Sequence, residues 1–212
     1  MAQKKENNTM DEKNMSQAET TIKALPVAEP AVLGLIGLAV AALVLASTDL
    51  KITSSAKSLM IPWILFFGAT AQFIAGTMEF RRNNVFGATV FSVYAMTMYS
   101  IALTLFITIF TGVTFDITHY AVGLIGILIF SLIATVASLM TNKVLFAILI
   151  AVDLSVGLLI PHYLYEMSSQ PAGVFLLLTS VLSFYAAAAI LINTMAGKSI
   201  VPLGKALWTP KK

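Results

Sequence analysis

Long apolar segments separated by short polar breaks constrain this chain more than any other feature of its sequence. A helix that crosses the roughly 30 Å hydrocarbon core of a bilayer needs about 20 predominantly apolar residues. Six segments meet that requirement, at residues 31–48, 59–80, 86–111, 120–141, 144–163 and 172–195. Only 11% of the residues are charged, against roughly a quarter in a soluble domain. We therefore predict an all-α polytopic membrane protein with six transmembrane helices.

The basic residues predict the orientation of these helices. With six spans, the N-terminal segment, the second-to-third loop, the fourth-to-fifth loop and the C-terminal segment share one side. Of the 13 basic residues, eleven fall on that side, and Lys51 and Lys57 fall on the other. Cytoplasmic loops carry an excess of Lys and Arg, so we expect both termini to be cytoplasmic.

The polar ends of the chain are distinct from its apolar centre. We predict that residues 1–28 form a disordered cytoplasmic tail, because they are too poor in apolar residues to pack. Residues 29–204 would form the transmembrane domain and residues 205–212 a short cytoplasmic tail. The sequence contains no cysteine, which excludes disulfides, thiolate metal sites and cysteine nucleophiles. His119 and His162 are isolated from each other, so neither a metal site nor a cofactor is expected.

Three motifs, in this order, distinguish the chain from a generic six-helix protein. Residues 29–35 read Glu-Pro-Ala-Val-Leu-Gly-Leu, residues 72–79 read Gln-Phe-Ile-Ala-Gly-Thr-Met-Glu, and residues 197–204 read Gly-Lys-Ser-Ile-Val-Pro-Leu-Gly. Together they resemble the acetate/succinate transporter family, over about residues 28–204. That family opens its first span with Asn-Pro-Ala-Pro-Leu-Gly-Leu, so Glu29 and Val32 depart from the pattern.

The resemblance implies a function and an assembly. It implies a pore through each six-helix protomer, a homohexamer in the plasma membrane, and transport of acetate. Succinate and other small monocarboxylates are further candidate substrates. Members of the family are described both as anion channels and as proton-coupled symporters, and the sequence leaves that choice open. The low formal net charge of +3 gives no reason to expect nucleic-acid binding.

The start of the first span is a candidate substrate site. Unpaired N–H groups and the helix dipole attract anions to a helix N-terminus, and Pro30 suits the first helical position. The candidate contacts here are Pro30, Ala31, Leu33 and Gly34. An ionised Glu29 would compete with a carboxylate for the same amides, so we expect it either to be protonated or to turn away.

A hydrophobic constriction is the second candidate feature. The resemblance implies a Phe, a Tyr and a Leu at mid-membrane, which fall on Leu38, Tyr94 and Val152 in this sequence. A narrow apolar ring of this kind blocks ions by dewetting. Of the three, only Tyr94 keeps the residue type of the family.

Polar residues within the spans are the third set of candidates. Burying an ionisable group in a membrane is costly, which marks Asp153 for a pore-facing or proton-relay role. Glu79 and Gln72 are seven residues apart and should share one helix face, while Asn193 could line the cytoplasmic mouth. The candidates for proton coupling are thus Glu29, Glu79 and Asp153.

Three other classes of function are alternatives to the transport of acetate. An intramembrane enzyme would need a nucleophile, a base and an orienting group that converge at depth, and Asp153 has no His or Lys partner within any span. A structural or signalling protein would leave the three motifs unexplained. An ammonium or small neutral-solute channel is the nearest alternative, although no paired pore histidines are evident.

Overall fold

Six long helices make up most of the computed structural model, which describes residues 27–53, 59–112 and 116–209. The helices are α1 (Ala31–Asp49), α2 (Met60–Arg81), α3 (Val85–Phe110), α4 (Thr118–Ser138), α5 (Lys143–Tyr165) and α6 (Gln170–Ala196). Each is long and apolar enough to cross a membrane. The predicted fold class is therefore confirmed, and the spans begin and end within a few residues of their predicted positions.

Local chemistry explains several helix ends. The side chain of Asn84 accepts a hydrogen bond from the backbone N–H of Gly87 at the start of α3, at 3.2 Å. Asn142 caps α5 in the same way through the N–H of Leu145, at 3.0 Å. Asparagine is favoured at this position because its side chain satisfies an otherwise unpaired N–H group. These caps make the polar breaks efficient ends for apolar helices.

The helices follow one another around a ring. Each consecutive pair packs together, and α6 closes the ring by packing extensively along α1. The contact between α3 and α4 is the loosest of the consecutive pairs, and a groove opens between them. The ring encloses a central space to which every helix contributes side chains.

Small residues bring some helices very close together. The Cα of Gly37 faces the Phe67 backbone carbonyl so closely that an added Cβ would lie 2.4 Å from that oxygen. Between α1 and α6, the Ser180 hydroxyl donates to the Ala39 carbonyl at 2.8 Å. Small residues and interhelical hydrogen bonds of this kind hold membrane helices together where hydrophobic attraction between them is weak.

The second helix changes its winding in mid-span. Its first turn, Met60–Trp63, is α-helical, Ile64–Ala71 is π-helical, and Gln72–Arg81 is α-helical again. π-Helical turns are rare in proteins, and those that occur often lie at functional sites. Beyond this stretch, Gln72 and Glu79 both point into the bundle and are completely buried, so they lie on one helix face.

One end of the bundle gathers the segments predicted to be cytoplasmic. Glu29 before α1 pairs with Arg82 after α2, and the Val144 N–H donates to the Leu203 carbonyl at 3.2 Å. Beyond residue 204, where the domain was predicted to end, the backbone N–H of Trp208 donates to the Leu139 carbonyl at 2.9 Å. Of the predicted N-terminal tail, all but residues 27–28 lies outside the described residues, and the orientation in the membrane stays a prediction.

Candidate functional site

Two cavities lie within the ring of helices, one towards each end of the bundle. The outer cavity has a volume of about 240 Å³ and is lined by residues of all six helices, including Asp49 and Met60 near its mouth. The inner cavity has a volume of about 70 Å³ and reaches Ala31, Gln72 and Glu79 at the end that carries Arg82. Together the two cavities span much of the length of the bundle.

Leu38 and Tyr94 line both cavities and so form the layer that separates them. Val152 lines the outer cavity beside them. All three side chains are buried, with exposed fractions of 6%, 3% and 7%, and belong to one hydrophobic cluster. The positions implied by the family resemblance are thus brought together in the structure.

The inner cavity has acceptor oxygens in its wall. The amide N–H of Gln72 donates to the Gly68 carbonyl at 2.7 Å, whereas its Oε1 atom is buried without a hydrogen-bond partner. The carboxylate of Glu79 accepts a hydrogen bond from the Asn84 side chain at 2.9 Å through Oε2. Its Oε1 atom has no hydrogen-bond partner and lies 4.0 Å from the Arg82 guanidinium.

The mouth of the inner cavity is held by an ion pair that the sequence did not predict. The Glu29 carboxylate lies 2.7 Å from Nη1 of Arg82 and 3.4 Å from the backbone N–H of Ala31. The hydrogen bond from Glu29 raises the pKa of the Arg82 guanidinium above its ordinary value. Glu29 therefore turns mainly towards Arg82, which leaves only a long contact with the helix start.

The start of α1 is less accessible than the motif predicted. The helix begins at Ala31, where the apolar segment was predicted to start, but Pro30 is the buried residue immediately before the helix and not its first residue. The ring of Phe91 covers Gly34 so closely that an added Cβ would lie 2.5 Å from it. Leu33 is 43% exposed on the outer face of the bundle, because successive helical residues point about 100° apart. Of the four candidate contacts, only Ala31 lines a cavity.

Asp153 lies inside the bundle, with 8% of the residue exposed. Its carboxylate accepts hydrogen bonds from side chains of α4. Ser131 donates to its Oδ1 atom, and Thr135 donates to Oδ2 at 2.7 Å. Asp153 does not itself line either cavity, whereas its neighbour Val152 does. If Asp153 takes part in transport, as predicted, it does so through the residues that it contacts, Ser131 and Thr135.

The side chain of Asn193 binds the C-terminal segment that follows α6 through hydrogen bonds. Its Oδ1 atom accepts hydrogen bonds from the N–H groups of Ile200 and Val201, at 2.7 and 2.8 Å, and its Nδ2 atom donates to the Val201 carbonyl at 2.8 Å. It lines neither cavity. The third motif thus folds back onto α6, and the Tyr185 hydroxyl secures it further by donating to the Pro202 carbonyl at 2.6 Å.

Sequence reasoning missed the hydroxyl partners of Asp153 and the arginine partner of Glu29. Ser131 and Thr135 are four residues apart on α4 and therefore share one face. A pair of small hydroxyl residues on one face of an apolar helix was the available signal for a polar partner on another span.

Comparisons with known proteins agree with this architecture. The sequence matches the model of the GPR1/FUN34/yaaH family over residues 13–203. Among solved structures, the fold is similar to that of the bacterial acetate channel SatP, with a TM-score of 0.78 and 22% sequence identity, over 84% of this chain and all of that one. No curated protein matches the chain. The family match covers most of the chain and confirms the resemblance seen in the three motifs, so the protein belongs to the GPR1/FUN34/yaaH family.

Proposed function

We propose that this protein transports small monocarboxylates, with acetate as the reference substrate, across the plasma membrane together with a proton. Its family and its fold, shared with the acetate channel SatP, support this substrate class. The excess of basic residues at one end supports a cytoplasmic location for both termini. The homohexamer implied by the family resemblance is part of the proposal, and the mass of the purified protein in detergent tests it.

The observation that carries the proposal is the pair of cavities that meet at Leu38 and Tyr94. A solute that passes one layer of side chains would move from the inner cavity to the outer one. Because the rest of that layer is apolar, the Tyr94 hydroxyl is the polar group that a carboxylate would meet there. The inner cavity, about 70 Å³, exceeds the roughly 10–15 Å³ that one water requires on the same measure, so it has room for a small carboxylate.

The charges along the cavities support proton coupling. Among the described residues, the linings include Asp49 in the outer cavity and Glu79 in the inner one, and no Lys or Arg. Two negative charges roughly 4 to 8 Å apart repel by about 2–4 kcal/mol at an effective dielectric constant of about 20. A carboxylate that carries a proton with it, or meets a protonated side chain, avoids most of that cost.

Reconstitution in liposomes tests the proposal. Acetate flux is measured under an imposed pH gradient with the voltage clamped, and again under a voltage with no pH gradient. We expect flux that follows the proton gradient and is inhibited by propionate but not by methylammonium. Flux driven by voltage and indifferent to pH would instead make the protein an anion channel. Inhibition by methylammonium would favour an ammonium channel, and no flux above empty liposomes would refute the transport of acetate.

Glu79→Gln adds a test of the inner cavity. It removes the carboxylate while keeping its shape and the acceptor for Asn84. We expect acetate flux to continue in this variant and to depend less on the proton gradient. Thr77→Val, on the same helix and outside both linings, is the matched control and should leave the flux unchanged.

A further inference from the structure

A continuous line of hydrogen bonds connects the constriction to the buried carboxylate of α5. The Tyr94 hydroxyl lies 2.7 Å from the Ser131 hydroxyl. Ser131 in turn donates to Oδ1 of Asp153, and the other carboxylate oxygen accepts from Thr135 at 2.7 Å. The chain therefore crosses three helices, from α3 through α4 to α5, and ends at a group that can take up a proton.

The direction of these hydrogen bonds is fixed when Asp153 is ionised. A carboxylate can only accept, so Ser131 must use its single proton to donate to Asp153. The Ser131 oxygen can then only accept, and the Tyr94 O–H must point towards it. In this arrangement Tyr94 offers only lone pairs to the cavities and has no hydrogen to donate to a carboxylate.

A proton on Oδ1 of Asp153 reverses the chain. The carboxylic acid then donates to Ser131, Ser131 donates to the Tyr94 oxygen, and the Tyr94 O–H is released. The aromatic ring is held by Phe130, with the ring centres 5.7 Å apart at 75°. Because a phenol O–H lies close to the plane of its ring, the released hydrogen takes the orientation away from Ser131, towards the path between the cavities.

We propose that protonation of Asp153 acts through Ser131 to switch the Tyr94 hydroxyl from an acceptor to a donor in the permeation path. This inference rests on the proposed transport of carboxylates and identifies Asp153 as a positioning residue for it. A carboxylate at the constriction accepts a hydrogen bond from Tyr94 only when Asp153 is protonated. By linkage, a bound carboxylate and a proton on Asp153 then favour each other.

The surroundings of Asp153 contain few other groups that could produce this dependence. The helices packed most extensively against α5 are α4 and α6, and neither contains an Asp, Glu, Lys or Arg. Their titratable side chains are His119 and Tyr120 at the far end of α4, and Tyr185, which donates to Pro202. On α5 itself, Lys143, His162, Tyr163 and Tyr165 lie near the ends.

Helices α1, α2 and α3 also share a core cluster with α5. Their charged residues lie at helix ends, Asp49 on α1 and Glu79 and Arg81 on α2, and α3 adds Tyr99. Tyr94 is thus the titratable side chain coupled to Asp153, through Ser131.

Four single variants and one double variant test the switch in liposomes. For the wild type we expect carrier-dependent acetate flux to rise as the pH falls, by about tenfold or more, because a hydrogen bond to a charged group corresponds to roughly a tenfold to hundredfold change in an equilibrium. Asp153→Asn removes the group of this chain that takes up a proton, so its flux should lose most of this dependence on pH and keep only the part that Glu79 contributes. Tyr94→Phe removes the donor, and adding Asp153→Asn to it should change nothing further.

Ser131→Ala and Thr135→Val form a matched pair. Each removes one hydroxyl that donates to Asp153, but only Ser131 connects Asp153 to Tyr94. We expect Ser131→Ala to remove the same part of the dependence on pH as Asp153→Asn does, and Thr135→Val to retain it. A full pH dependence in Asp153→Asn or in Ser131→Ala, with both proteins eluting as the wild type does from a sizing column, would overturn the proposal.

Infrared spectroscopy tests the switch without any transport. In pH-difference spectra of the reconstituted protein, the C–O band of Tyr94 is identified by its loss in Tyr94→Phe, and the carboxyl band of Asp153 by its loss in Asp153→Asn. We expect the two bands to change over the same pH range in the wild type and in Thr135→Val, but not in Ser131→Ala. A Tyr94 band indifferent to pH refutes the switch even if acetate is transported. Coupled bands without acetate flux refute the proposed substrate alone.

Discussion

The contact between Gly37 and α2 gives a prediction whose size follows from the structure. In Gly37→Ala, the new Cβ would lie 2.4 Å from the Phe67 carbonyl oxygen and 3.1 Å from the Ala71 Cβ. The first distance is about 1 Å short of the 3.4 Å at which ordinary contact begins. The obstacle is a backbone carbonyl, which cannot rotate away, so α1 and α2 must move apart. Their separation would also disturb the layer to which the next residue, Leu38, contributes.

The expected loss combines two opposing effects. Overpacking costs about 1–3 kcal/mol, while replacing a helical glycine by alanine returns up to about 1 kcal/mol of helix propensity. Because the clash is with a backbone carbonyl, we place its cost in the upper part of that range, at about 2–3 kcal/mol. After the gain in helix propensity, we expect Gly37→Ala to lower the free energy of unfolding by about 1–2 kcal/mol. For a chain of this size, each kcal/mol changes the Tm by about 2–4 °C, so the expected decrease is about 2–8 °C.

Thermal unfolding of the purified protein in a mild detergent measures this decrease. Gly157→Ala is the matched control, because its Cβ would meet only Leu128, at an ordinary 3.9 Å. We expect that control to be as stable as the wild type or slightly more stable. Equal Tm values for the two variants would show that the close approach of α1 and α2 contributes nothing to stability and would refute the reasoning.

Three further predictions concern the constriction, the C-terminal segment and the inner mouth. Leu38→Ala should widen the layer between the cavities, so the flux of butyrate should rise relative to that of acetate in the liposome assay. Asn193→Ala removes three hydrogen bonds to the segment at Val201 and should increase amide hydrogen exchange there by tenfold or more, at about 1 kcal/mol per bond. Glu29→Gln and Arg82→Gln should each lower stability by about 1 kcal/mol or less, because the pair is partly exposed, and the double variant should show that their effects are not additive.

Most of the fold could be predicted from the sequence because each span carries its own signal. Hydropathy depends on local composition alone, so the six helices and their approximate ends could be read directly. The common face of Gln72 and Glu79 also followed from helical spacing, even though a π-helical stretch precedes them. That stretch itself has no comparable signature in residues 64–71.

The site was predicted less completely, because its contacts join residues on different helices. The partners of Asp153 lie 18 and 22 residues before it in the chain, and no local pattern connects them. In the same way, the motif at Gly34 indicated an open backbone, but the ring of Phe91 on α3 occupies that space. Which helix faces pack together depends on the whole ring of six helices, and a single sequence does not specify it residue by residue.

Two acids, Asp153 and Glu29, illustrate the same limit, and their contacts explain how the fold tolerates them. A lone carboxylate in an apolar span is costly, so Asp153 alone reads as a group that requires a cation or a proton. The structure instead provides two hydroxyl donors from α4, and charge-assisted hydrogen bonds of this kind stabilise an ion without a counter-charge. Glu29 reads as a competitor for the helix start until Arg82 is placed opposite it. In both cases neighbouring side chains hold the acid. Among the described residues, the linings of the two cavities contain no Lys or Arg. If the proposed transport of carboxylates is correct, Tyr94, which lies between the cavities, is a polar group that can reorient towards the substrate.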